Sequence, residues 1–109
     1  SYDELGIYKI LADVKEDAIC PAFVQETVGG LLEYDRKNHT DYMKLLEIYF
    51  ENECSVVNTS KAVYCHNNTL SYKLDKIKKI LGYDILKNEN RTKIMVAIYI
   101  LRLGKEYFY

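Results

Sequence analysis

A chain of 109 residues can bury one hydrophobic core but has no room for a separate catalytic domain, so a single domain is expected over residues 1–109. Its 49% hydrophobic and 28% charged residues exclude long disorder, and the longest uncharged run near the end, Ile94 to Leu101, falls far below the roughly 20 residues of a membrane span. A net charge of −1 conceals an uneven distribution: residues 1–54 hold 12 acids and 5 bases, whereas residues 55–109 hold 4 acids and 10 bases. The second half therefore carries the positive field that a polyanion would meet.

Cys20, Cys54 and Cys65 are odd in number and lack the close pairing of a zinc site or the density of a disulfide scaffold. They read as small core residues in a reducing cytoplasm. No signal peptide opens the chain, and its first residue is serine, so it reads as a fragment or a processed start.

One proline and five glycines leave few breaks, and apolar residues recur with the 3.6-residue period of helices, which predicts an all-α fold of about six helices with no sheet. Asp3 is the expected cap of a first helix over about Glu4 to Lys15, with Leu5, Ile7, Tyr8, Ile10, Leu11 and Val14 at helical spacing. Pro21 suits the start of a second helix through Phe23, Val24 and Val28. Gly29-Gly30 should weaken that helix and bend it before Leu31, Leu32 and Tyr34.

After a polar connector, Thr40 is the expected cap of a third helix with an apolar face of Tyr42, Leu45, Leu46, Ile48, Tyr49 and Phe50, ending near Cys54. Ser55 or Asn58 would cap a fourth helix of about two turns, with Val56, Val57, Ala62 and Val63 facing inward. The fifth is the best defined: Asn67 or Asn68 as cap, Gly82 as left-handed stop, and Leu70, Leu74, Ile77 and Leu81 on one stripe. Asn68, Tyr72, Lys76 and Lys79 fall on the opposite side. Asn88 would cap a last helix through Ile94, Ala97, Ile98, Leu101 and Leu103, with Gly104 ending it.

A two-turn helix, a turn of about three residues and a second helix with a basic outer face form the pattern of a helix-turn-helix, here between about Ser55 and Gly82. Its second helix fits the major groove, where small polar residues of the first turn reach base edges and lysines reach phosphates. The candidate DNA-binding residues are Asn67, Asn68, Thr69, Ser71, Tyr72, Lys73 and Lys76. A lysine-rich amphipathic helix can equally be a solvated surface, and spacing alone does not separate the two.

The stretch "TSKAVYCHNNTLSYKLDKIKKILGYDI" resembles the C-terminal helix-turn-helix domain of the PucR/CdaR family of transcription regulators. His66, Asn68, Thr69, Leu70, Tyr72, Leu74, Ile77, Leu81 and Gly82 carry the likeness, which extends upstream through "DELGIYKIL" and "LLEYD" and downstream through the last helix. Three positions depart from the pattern: Asn67 and Lys73 stand where the family has Arg, and Ser60 where it has a buried Ala. An Arg fork binds phosphate or guanine at two points, so a lysine or an asparagine there changes affinity or base preference.

The resemblance implies the sequence-specific DNA-binding end of a longer bacterial regulator of metabolite-utilisation genes. Double-stranded DNA would be its partner, bound as a homodimer, and a small-molecule effector would act through an upstream domain. No enzyme, cofactor, metal or membrane is expected. His66 and the adjacent Cys65 lack further ligands nearby, and a turn-stabilising histidine is the reading preferred. His39 is expected to be exposed, and Asp13, Glu16 and Asp17 to solvate a connector. The rival reading is a helical dimerisation or protein-interaction module, motivated by the apolar last helix and the aromatic tail of Tyr107, Phe108 and Tyr109.

Overall fold

The computed structural model describes residues 6–11 and 19–107, with side chains described as far as residue 104. Among them the chain is helical with no strand: residues 6–11 form α1, followed by α2 (Ile19–Asn38), α3 (Tyr42–Glu51), α4 (Val56–Ala62), α5 (Asn67–Leu81) and α6 (Asn88–Tyr107). Asp3, Val14, the acids Asp13, Glu16 and Asp17, and the tail residues Phe108 and Tyr109 lie outside the described residues, as does the side chain of Tyr107.

The long α2 is the spine of the fold and packs against α3, α5 and α6, while α4 packs against α3 and α5. Its Val28 and Leu31 meet Leu46 of α3, Leu70 and Ile77 of α5, Ile85 of the α5–α6 loop, and Ile94 and Ile98 of α6 in one core, all 0–1% exposed. Burying side chains of this size contributes roughly 1.5–3 kcal/mol each. A smaller cluster joins α1 to α6: Leu11 packs with Tyr99 and Leu103, and the Tyr8 ring meets Tyr99 edge-on at 5.1 Å.

Gly29-Gly30 do not interrupt α2, which continues through both glycines to Asn38 as one helix. Burial overrides propensity there. Val24, Thr27, Val28, Gly29 and Leu31 are all buried, and at Gly30 the backbone of α5 comes close enough for an added Cβ to lie 3.7 Å from the Ile80 carbonyl oxygen. Pro21 falls in the first turn, where its missing N–H would have no helical acceptor.

The corner between α2 and α3 is held by a residue that the helix pattern did not single out. Asp41 is the N-cap of α3 but makes no side-chain capping bond, and Thr40 does not cap either. The Asp35 carboxylate, from the last turn of α2, accepts the N–H of Tyr42 at 2.9 Å, the N–H of Met43 at 2.8 Å and the Thr40 hydroxyl at 2.6 Å. A carboxylate at a helix N-terminus satisfies orphan donors and meets the positive end of the dipole. The same corner contains His39, exposed and at φ 53°.

Ser55 caps α4, accepting from the Asn58 N–H at 3.1 Å. The inward face of α4 differs from the expected one: Val57 is 50% exposed and Ala62 is exposed, while Thr59 and Ser60 are buried. Neither buried hydroxyl has a hydrogen-bond partner, and such an unmet group costs about 1–3 kcal/mol. On α3, Glu47 is buried beside Lys44 at 3.6 Å, and Arg102 of α6 reaches Glu51 at 2.6 Å. Gly104 does not stop α6, which continues to Tyr107.

Two substitutions should move stability in opposite directions. Asp35→Ala removes the shared cap and should cost about 1–2 kcal/mol. Ser60→Ala removes a buried unsatisfied hydroxyl at little loss of volume and should add about 1 kcal/mol. Urea midpoints read both, with the slope of the transition unchanged.

Candidate nucleic-acid interface

A four-residue turn, Val63 to His66, joins α4 to α5, and α5 ends at Gly82 in the left-handed conformation, with φ 79° and its N–H bonded to the Lys78 carbonyl at 2.8 Å. The stop falls where the sequence places it. The cap at the other end does not: His66 fills it in place of either asparagine, its Nδ1 accepting the Asn68 N–H at 3.0 Å. The histidine thus stabilises the turn, and Asn67 and Asn68 become the first two residues of the helix. Cys65, half-buried, donates weakly to the His66 carbonyl at 3.5 Å.

The inner stripe of α5 is Leu70, Leu74 and Ile77, between 0% and 4% exposed. Five of the seven candidate residues, Asn67, Asn68, Thr69, Ser71 and Tyr72, are exposed, and all lie in the first six positions of the helix. Small polar groups therefore crowd its N-terminal half. Lys79 continues that outer face.

Lys73 and Lys76 lie on a flank and are half-buried. Lys73 lines a hollow with Thr40, Asp41, Tyr42 and Lys44 at the start of α3. Lys76 was expected on the outer side, but its Nζ sits 5.6 Å from the centre of the Tyr34 ring, which itself stacks on Tyr42 with ring centres 5.6 Å apart. Hydrogen bonding to Tyr34, and then the nearby Tyr34 and Tyr72 phenols, raise the Lys76 pKa above the usual lysine value. The ammonium stays charged and is aimed by a ring rather than left free.

Lys44 was not singled out from the sequence because it belongs to a different helix, and only the fold sets it beside Lys73. Lys61 near the end of α4 is likewise exposed next to the turn. A signal for Lys61 existed in the charge count, which placed few acids after residue 54, whereas Lys44 lies in the acidic first half, where that count pointed away from it.

The exit of α5 is anchored to the spine. Tyr83, directly after Gly82, donates its hydroxyl to the Thr27 carbonyl of α2 at 2.7 Å, and burial raises its pKa. The loop then turns on Asp84, whose carboxylate accepts the Leu86 N–H at 2.9 Å and whose carbonyl accepts from the Asn90 side chain at 2.8 Å.

Two helices joined by a tight turn, the second bare and polar at its start and locked at its end, define a helix-turn-helix protein of the DNA-binding class. The comparisons with known proteins agree. Residues 42–100 match the family described as the PucR C-terminal helix-turn-helix domain, and the chain belongs to that family.

Among its relatives, the proline-responsive transcriptional activator PutR of Bacillus subtilis strain 168 is 24% identical over 93% of this chain and 25% of its own length. The DNA-binding transcriptional activator AdeR of the same organism is 34% identical over 84% of this chain and 21% of its own. Its purine catabolism regulatory protein is 28% identical over 74% and 15%, respectively. The chain thus spans a quarter or less of the length of these curated relatives, two named as transcriptional activators and one as a regulatory protein. No solved structure gives a significant match. Among the described residues no helix is long and apolar enough to cross a membrane.

The Tyr83 anchor predicts a pH dependence. A folded pKa raised above the unfolded value near 10 gives stability that is complete below that value and is lost as pH rises through the folded one. Tyr83→Phe should therefore cost about 1 kcal/mol at pH 7 and flatten the loss of stability above about pH 10. Denaturant titrations at pH 7 and pH 11 compare the two proteins.

Proposed function

We propose that this chain is the sequence-specific DNA-binding output domain of a longer cytoplasmic regulator, which acts as a homodimer on metabolite-utilisation genes and receives its effector through another domain. The observation that carries the reading is the exposed polar first half of α5 on a fully packed stripe. Membership in the PucR family supports DNA binding as the role of such a helix. The names of the relatives, one proline-responsive and one for purine catabolism, support small metabolites as the class of effector.

In this reading α5 enters the major groove. Asn68 and Thr69 in its first turn read base edges: an asparagine amide pairs with adenine at two points, and threonine offers a hydroxyl and a methyl for thymine. Asn67, Ser71 and Tyr72 border that contact. Lys73 and Lys76, one turn later on the flank, hold phosphates, with Lys44 beside Lys73 adding to the same charge. Because Tyr34 already orders Lys76, less side-chain entropy is lost when it meets a phosphate.

A recognition helix of this length reads few base pairs, so paired half-sites are needed for selectivity. Selection from random duplexes should return repeated half-sites about 34 Å apart, or a multiple of that spacing. Recovery of solitary short sites would contradict the dimer.

Titrations on the selected and on random DNA at several salt concentrations divide the labour within α5. Asn68→Ala should cost about 1–3 kcal/mol on the selected site and little on random DNA. Lys73→Ala or Lys76→Ala should weaken both, and lower the magnitude of the salt slope by about one. If Asn68→Ala weakened both DNAs equally while a lysine change altered the preferred bases, the docking would be wrong.

A further inference from the structure

The turn between α4 and α5 holds a residue that the fold does not use. Tyr64 is 97% exposed, so its ring buries almost nothing, and its φ of 55° lies in the left-handed region that glycine or asparagine occupies with little strain. A tyrosine is a poor choice there for the fold. Strain at a turn beside a binding surface points to a task for the side chain.

Its surroundings indicate which task. Tyr64 lines an open hollow with Val57, Lys61, His66 and Asn67, at the mouth of the turn that delivers Asn68 and Thr69. The hollow offers an apolar wall at Val57, a cation at Lys61 and an amide at Asn67. Those are the groups that suit a sugar and a phosphate, and they leave base edges to the helix beside them.

We infer that Tyr64 is a DNA-backbone contact: its ring packs on a deoxyribose and its hydroxyl donates to a phosphate oxygen at the edge of the groove that α5 enters, with Lys61 supplying the neighbouring charge. Neutral and outside the helix, it strengthens binding to any duplex and fixes the angle at which α5 enters. This rests on the DNA-binding reading above.

The test opposes stability to affinity. Tyr64→Gly relieves the strained backbone and should raise the melting temperature, yet bind selected and random duplexes about tenfold more weakly. The salt slope should not change, because no charge is removed. Tyr64→Phe keeps the ring and should lose about two- to threefold. Wild-type affinity in Tyr64→Gly overturns the inference, as does a lowered melting temperature, which would make the ring part of the fold. Failure of the unaltered protein to bind any duplex in a salt-dependent way is a separate result, and it removes the DNA-binding reading itself.

Discussion

The domain turns on the Asp35 carboxylate. Three groups of the following segment, the N–H of Tyr42, the N–H of Met43 and the Thr40 hydroxyl, converge on it. Through it the spine helix α2 fixes where α3 begins, and α3 in turn carries α4 and part of the floor under α5. The same last turns of α2 present Tyr34 to Lys76. One corner thus sets both the packing of the helix-turn-helix and the posture of a lysine on its flank.

A second consequence of the spine concerns the far end of α5. Tyr83 bonds to Thr27 in the middle of α2, and Gly30 lets the α5 backbone lie close by. With Tyr83 anchored at its exit and Leu70, Leu74 and Ile77 packed in the shared core, the helix is held against α2. A reading helix needs that fixity, since base contacts depend on tenths of an ångström.

Much of this was legible in the residues. The stripe of Leu70, Leu74 and Ile77 defined α5, and Gly82 marked its end, because hydrophobic period and left-handed stops are local signals. The family resemblance gave the fold and the polar residues at the start of α5. What escaped was non-local. The Asp35 cap joins residues seven and eight apart across a corner, whereas the local pattern beside the helix points to Thr40. The unbroken α2 depends on burial against α5 and α6 that no local glycine rule contains. His66 displaced two asparagines as cap because its ring reaches the Asn68 N–H, which side-chain preference tables do not favour. Only the fold separates the seven candidate residues, five of them bare and two, Lys73 and Lys76, half-buried on a flank.

The His66 cap also dictates the protonation pattern of its ring. A nitrogen that accepts a backbone N–H carries no hydrogen, so in the neutral imidazole the proton belongs to Nε2. The ring therefore has one nitrogen committed to the helix start as an acceptor and the other left as a donor, and the residue lines the same hollow as Lys61 and Asn67. A single side chain both closes the helix start and keeps one N–H free of that task.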